Sequence, residues 1–130
     1  MRTFKLNKLV RDNIVEGHEA DGGVVDYVLL EGEELYKALL DKLTEEVAEM
    51  KSAETEIELA KEIADFRYLL QAIADFKNVQ EKDIVNAGRK RTKTAGGFMK
   101  GHYINTVTLP ADNKWAKYYA SQPDRFPEVE

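Results

Sequence analysis

Apolar residues recur at helical spacing through the middle of the chain. From about Glu33 to Lys51 they stand three or four positions apart with no glycine or proline between them, which predicts one long amphipathic helix. A second run of the same kind predicts a helix from Glu56 to Phe76. The intervening SAET offers Ser52 or Thr55 as a helix cap, and a connection this short favours an antiparallel pair.

The flanking sequence predicts a third long helix and several short elements. Acids in its first turn, bases in its last turn and Gly96-Gly97 beyond it predict a helix from about Glu81 to Thr94. Glycines near the N-terminus limit any helix begun at LVRDNIVE to a short one. The β-branched and aromatic residues of 24–30 predict a short strand or an extended arm, and the loosely alternating segment 98–109 predicts a strand that pairs with it.

The predicted fold class is therefore mainly all-α, an antiparallel bundle of three main helices with a short β-hairpin or extended segments. A chain of 130 residues is long enough for one hydrophobic core. We divide it into a domain at residues 1–104 and a C-terminal extension at 105–130. In the extension we expect a short helix capped by Asp112 and an aromatic-rich tail that packs or forms a subunit interface.

Composition narrows the class of protein. Charged residues make up 33% and apolar residues 43%, as in soluble helical proteins, and no apolar run approaches the roughly 20 residues of a membrane span. The N-terminus has no apolar signal-peptide core, so we expect a cytoplasmic protein without a membrane partner. The absence of cysteine excludes disulfides and thiolate zinc sites, and two histidines are too few for a histidine-based metal centre.

Acidic and basic residues are segregated along the chain. Residues 31–65 contain twelve acids and four bases, whereas residues 84–111 contain bases and no acid. This distribution suits a site that holds a cation and a polyanion together, and the alternative is two solvated faces that balance one another.

Four carboxylates lie on or beside the apolar faces of the two central helices. At about 100° per residue, Glu46 falls inside the apolar stripe of its helix and Glu49 falls on the flank. Glu62 falls inside the stripe of the next helix and Asp65 on its edge, whereas the neighbouring Glu45 is predicted to face solvent. Each helix is thus expected to bury one carboxylate and to border it with another.

Buried carboxylates need a counter-charge. Most acid pairs three positions apart on a helix are simply solvated, but an ionised carboxylate buried without a partner costs several kcal/mol, and two such acids repel each other. Lys42 and Lys61 lie nearby in the sequence but not on the stripes. A hard divalent cation bound through oxygen resolves the conflict, and Mg²⁺ characteristically takes a few carboxylates, water and substrate phosphates.

Three segments carry a resemblance to a known family. EVAE at 46–49 and EIAD at 62–65, twelve residues apart, resemble the ExxE and ExxD signature of the all-α nucleoside triphosphate pyrophosphatases, which include MazG, dimeric dUTPases and phosphoribosyl-ATP pyrophosphohydrolase. KLVRDNI at 8–14 is similar to the KLVRDKIP opening of one branch. GRKRTKTAGGF at 88–98 resembles the basic end of its third helix. The resemblance spans about residues 5–104.

The resemblance implies an activity and a set of site residues. The activity is Mg²⁺-dependent hydrolysis, with Mn²⁺ as a possible substitute, between the α and β phosphates of a nucleoside triphosphate, in house-cleaning of non-canonical nucleotides. It also implies a homodimer or tetramer. By motif position the metal ligands are Glu46, Glu49, Glu62 and Asp65, and Glu46 or Glu49 is also the catalytic residue that orients or deprotonates the attacking water.

A triphosphate also needs cationic donors for the charge that develops on the leaving pyrophosphate. The candidates are the bases of the opening motif and of the third helix, where the spacing places some of them on one face. These phosphate-binding candidates are Lys8, Arg11, Arg89, Lys90 and Lys93. The alternative is that they are ordinary solvated charges near a helix terminus.

The competing function is a non-catalytic helical module that binds RNA or a protein through residues 89–100. That segment has a single aromatic residue, Phe98, and the chain carries a formal net charge of −5. Both features argue against nucleic acid as a partner.

Overall fold

The computed structural model describes residues 1–130 and contains five α-helices and no β-strand. The helices are α1 (Ile14–Ala20), α2 (Gly32–Ser52), α3 (Glu56–Phe76), α4 (Glu81–Ala95) and α5 (Lys114–Ala120). The all-α prediction is confirmed, and the long central helices begin and end within a residue or so of their predicted positions. None of the helices is long and apolar enough to cross a membrane.

The predicted strand pairing of 24–30 with 98–109 is wrong. Both segments are irregular, and Val24 and Leu29 are 90% and 89% exposed. An isolated two-stranded ribbon needs a packed apolar face to be stable, and these side chains have none within the chain.

Helices α2 and α3 form an antiparallel hairpin, the one extensively packed helix pair of the chain. The start of α2 meets the end of α3, where the Tyr36 and Phe76 rings stack at 5.6 Å between centroids. The Lys77 ammonium lies 4.1 Å from the centre of the Tyr36 ring and 3.7 Å from a Glu33 carboxylate oxygen. These contacts fix the register that brings the far end of α2 against the beginning of α3.

The hairpin connection contains the N-cap of α3, for which the sequence offers Ser52 and Thr55 as candidates. Thr55 is the N-cap of α3, and its hydroxyl accepts a hydrogen bond of 3.1 Å from the Glu58 amide. The Glu58 carboxylate in turn accepts one of 2.9 Å from the Glu54 amide. Ser52 instead donates its hydroxyl to the Ala48 carbonyl within α2. One of the donors that every helix start leaves unpaired is therefore satisfied by the Thr55 side chain, and the Glu58 side chain pairs the amide just before the cap.

The C-terminal end of α3 closes in a Schellman motif. Asn78 adopts a left-handed φ of 57°, a conformation that asparagine tolerates better than most side chains. The Val79 amide donates to the Ala74 carbonyl at 2.9 Å and the Asn78 amide to the Asp75 carbonyl at 3.2 Å, the two bonds of the motif. Helix α4 ends similarly, at Gly96 with a φ of 78°.

The chain divides into two compact units, Met1–Lys90 and Arg91–Glu130, whereas the sequence suggests a division at 104/105. The first unit contains the hairpin. The second contains α5, whose N-cap is Asn113, accepting from the Trp115 amide at 2.8 Å, and not the expected Asp112. Aromatic side chains of α5 and the tail cluster together, with Tyr119 and Phe126 at 4.8 Å between ring centroids.

The apolar core inside the chain is very small. Leu39 and Ala74 are the only buried hydrophobic residues, at 8% and 6% exposed. The third buried residue is a carboxylate, Glu46, at 5% exposed.

Candidate metal centre

Three carboxylates from the two hairpin helices converge at its closed end. Glu46 and Glu49 project from α2, one turn apart, and Glu62 projects from the second turn of α3. One carboxylate oxygen from each of the three lies within 4.8 Å of the others. Antiparallel packing produces this arrangement, because it places the acids near the end of α2 opposite those near the start of α3.

Each of the two inner members of the cluster has one carboxylate oxygen without a hydrogen-bond partner. Glu46 is buried, Glu62 is half-buried, and the Oε2 atom of each is inaccessible to solvent and accepts no hydrogen bond. An unpaired buried carboxylate oxygen is costly, and two carboxylates this close also repel each other when ionised. The arrangement is therefore unfavourable for the protein chain alone.

The electrostatic stress of the cluster appears in the pKa of Glu49. A hydrogen bond from the protonated Glu49 carboxyl to Glu62 raises this pKa, and desolvation and the negative charge of Glu62 raise it further. The charges of Lys42 and Lys8 act in the opposite direction without cancelling the rise. Without a cation, the site therefore favours the protonated form of Glu49 more than solvent does.

The donor set suits a hard divalent cation. Carboxylate oxygens are the ligands that Mg²⁺ and Mn²⁺ prefer, and the unpartnered Oε2 atoms of Glu46 and Glu62 have free lone pairs for such an ion. Beside them, an open depression of about 230 Å³ is lined by Glu49, Glu62 and neighbouring residues of the hairpin turn. It leaves room for water, which Mg²⁺ retains when bound.

The fourth predicted ligand lies outside the cluster of three. Asp65 accepts a 2.8 Å charge-assisted hydrogen bond from Nη2 of Arg11, 54 positions earlier in the sequence. The Arg11 guanidinium also lies over the ring of Tyr68, 4.6 Å from its centroid. Sequence reasoning missed Tyr68, although its position three residues after Asp65 places both on one face of α3.

The other base of the opening motif lies close to the same end of the hairpin. Lys8 follows Asn7, which takes a left-handed φ of 49°, and its ammonium lies 4.0 Å from a carboxylate oxygen of Glu45. Lys42 lies 3.5 Å from the same oxygen. Glu45 was predicted to face solvent, but the two lysines partly cover it and leave its side chain 34% exposed.

The basic residues of α4 are solvent-exposed. Arg89 and Lys90 belong to the first compact unit, and Lys93 to the second. Arg89 makes no ion pair with the cluster. Lys8, Arg11 and Lys42 do pair with acids that border it.

The site is thus a group of three glutamates, two of which have an unpartnered inner oxygen, with a lysine pair and an arginine–aspartate pair beside it. No known protein family, no curated protein and no solved structure matches the chain.

Proposed function

We propose that the chain is a divalent-cation-dependent nucleoside triphosphate pyrophosphohydrolase that cleaves between the α and β phosphates and releases a nucleoside monophosphate and pyrophosphate. The observation that carries the proposal is the buried carboxylate of Glu46, which faces Glu62 and Glu49 with an oxygen that nothing in the chain satisfies. A cation and a phosphate chain together supply what this site lacks.

Glu46, Glu49 and Glu62 would hold the cation, with Asp65 in reach one helical turn away. Mg²⁺ in such a site neutralises phosphate oxygens and lowers the pKa of bound water. Glu46 is the most buried of the three and serves to anchor, whereas Glu49 is exposed to solvent and open to a water molecule.

Glu49 is the carboxylate that we assign as proton acceptor. Its position beside the open depression lets it orient a water toward the α phosphate.

Lys8 and Arg11 are the bases placed to bind phosphate oxygens. Both already touch carboxylates that border the cluster, through exposed pairs that a polyanion can replace. Arg11 suits a phosphate especially well because its guanidinium donates two parallel hydrogen bonds. The bases Arg89 and Lys90 of α4, which belong to the same compact unit, are the further candidates for the leaving pyrophosphate.

The nucleoside would extend along the hairpin from the acidic end. A groove of about 480 Å³ runs between α2 and α3. Tyr68 lines it, and its apolar walls include Leu39 and Phe76. Gln71 and Asp75 add polar atoms, and the Gln71 amide donates to Asp75 at 2.8 Å. The groove is open to solvent, so it offers one apolar wall with a few polar groups for the nucleoside.

We infer that a second copy of the chain completes the fold. The hairpin buries almost no aliphatic residue. On α3 an apolar stripe formed by Leu59, Ile63 and Leu70 is 39–47% exposed. These three residues share one helix face, as do Leu40 and Val47 on α2. Long apolar stripes on a two-helix hairpin are buried by pairing with an identical hairpin in a symmetric dimer, or in a tetramer built from it.

A pyrophosphate-release assay with Mg²⁺ tests the proposal directly. The panel contains canonical, deoxy and damaged nucleoside triphosphates and phosphoribosyl-ATP. We expect at least one to be cleaved, and Glu46→Gln to lower the rate by about a hundredfold or more. Glu45→Gln, adjacent in sequence but outside the cluster, is the matched control and should retain most of the activity. Cleavage of no triphosphate, or equal rates for the two variants, would refute the proposal.

A further inference from the structure

The structure assigns Arg11 a positioning role besides phosphate binding. We propose that Arg11 holds Asp65 away from the cation site in the free protein and releases it when a phosphate group binds, so that phosphate recruits Asp65 as a fourth cation ligand. The inference rests on the proposed function, and it concerns the order in which that site is assembled.

The starting state is defined by two contacts of one guanidinium. Arg11 donates to Asp65 Oδ1 at 2.8 Å and lies 4.6 Å from the centre of the Tyr68 ring. Asp65 and Tyr68 are one turn apart on the same face of α3. They hold the guanidinium together, Asp65 through a hydrogen bond and Tyr68 through a cation–π contact. Asp65 is accordingly absent from the group of three converging carboxylates.

The move that recruits Asp65 is a change of side-chain rotamer. Asp65 follows Glu62 by three positions, so its side chain and that of Glu62 are neighbours on the helix surface. A new rotamer redirects an aspartate toward such a neighbour without a change of helix register. What prevents the move in the free protein is the hydrogen bond to Arg11.

The strength of the pair is suited to exchange. The Arg11 side chain is 56% exposed and that of Asp65 is 28% exposed, so water screens their attraction and the pair is weak. A phosphate group carries more charge than a carboxylate and accepts a bidentate arginine, and therefore competes well for the guanidinium. Tyr68 can keep its contact with the guanidinium while the hydrogen-bond partner changes, since the ring contact does not use the N–H···O bond to Asp65.

Exchange of partners makes the two ligands cooperative. Once phosphate occupies Arg11, the released Asp65 carboxylate gains a cation as its new partner, and the cation gains a ligand. By linkage, phosphate must then raise cation affinity by the same factor by which the cation raises phosphate affinity, and couplings of this kind are typically about 5-fold to 150-fold.

A mutant cycle on Mn²⁺ binding tests the pair without any turnover. The dissociation constant is measured from the electron paramagnetic resonance signal of free Mn²⁺ with wild type, Arg11→Gln, Asp65→Asn and the double variant. We expect Asp65→Asn alone to leave Mn²⁺ affinity unchanged. We expect Arg11→Gln to tighten Mn²⁺ binding relative to wild type. This tightening should be about 5-fold larger than that between Asp65→Asn and the double variant.

Charge removal alone is controlled by Arg67→Gln, since Arg67 is an exposed base on another face of α3. Arg11→Lys keeps the charge but lacks the bidentate fork, and should give a weaker effect than Arg11→Gln. Helix content by circular dichroism checks that each variant is folded.

The second arm adds adenosine monophosphate, with a protein-free titration to correct for Mn²⁺ bound by the nucleotide. It should tighten Mn²⁺ binding about 5-fold or more in wild type and much less in Arg11→Gln or Asp65→Asn. If Asp65→Asn weakens Mn²⁺ binding in the phosphate-free wild-type background, Asp65 is already a ligand and the inference is wrong. Equal Mn²⁺ affinity in all variants overturns the inference but leaves the metal centre standing, whereas no Mn²⁺ binding by wild type overturns both.

Discussion

Glu46 on α2 and Glu62 on α3 face each other across the helical hairpin, with carboxylate oxygens within 4.8 Å and an inner oxygen on each that accepts no hydrogen bond. Two ionised acids in this position oppose the packing of the helices that carry them. A bound divalent cation attracts both carboxylates and so replaces their repulsion by a favourable interaction. Folding stability and cation binding should therefore be linked at this pair.

The first prediction concerns the stability of the cation-free protein. Glu46→Gln keeps the shape of the side chain and removes its charge, so it should raise the free energy of unfolding in EDTA by about 1 kcal/mol. It should also weaken the rise in melting temperature that Mg²⁺ gives to wild type, through a loss of affinity of at least about tenfold. Thermal melts with and without Mg²⁺ measure both effects. Glu45→Gln should melt like wild type in its response to Mg²⁺, and a wild type indifferent to Mg²⁺ would contradict the prediction.

The second prediction concerns pH and the raised pKa of Glu49. Because that pKa is higher in the folded state than in the unfolded chain, the folded cation-free protein binds more protons, and stability falls as pH rises from about 4 through the raised value. Glu49→Gln removes this loss, so its advantage over wild type in EDTA should grow with pH across that window. Saturating Mg²⁺ should abolish the advantage, since the cation replaces the proton.

Melts of wild type and Glu49→Gln at a series of pH values provide the test. A difference between the two proteins that stays constant with pH would show that Glu49 titrates normally. Mn²⁺ affinity of wild type should rise over the same pH window, because a proton on Glu49 competes with the cation.

The third prediction concerns assembly. Wild type should sediment as a dimer or tetramer, and its melting temperature should increase with protein concentration. Leu70→Lys places a charge on the exposed apolar stripe of α3 and should shift the protein to monomer. Ala64→Lys adds the same charge to a different face of the helix, and should leave the assembly intact. A wild type that is monomeric at every concentration would exclude the second copy.

The fourth prediction concerns the turn that carries the site. Thr55→Ala removes the hydroxyl that accepts from the Glu58 amide, and should cost about 1 kcal/mol of stability. Thr55→Ser keeps the hydroxyl and should restore nearly all of it. Chemical denaturation in EDTA measures the difference free of any effect of bound cation. A loss that serine does not restore would assign the effect to the threonine methyl group and not to the cap.

Local sequence patterns were sufficient where the determining interactions are local. Helical periodicity placed α2 and α3 to within a residue or so, and the phase of Glu46 on its helix predicted its burial. Local patterns failed for 24–30 and 98–109, because β propensity specifies a strand only when a partner strand and a packed face are present.

The sequence by itself determined the two long helices, their antiparallel pairing and the convergence of acids from both, since each follows from residue spacing along a single helix or across one short turn. Only the tertiary structure decided which group Asp65 contacts, because its partner Arg11 lies 54 positions away on a segment whose conformation the sequence does not predict. It also decided the choice between Ser52 and Thr55 as cap and the contact of Arg11 with Tyr68. Such pairings depend on where distant segments meet in space, and no periodicity within one element records that.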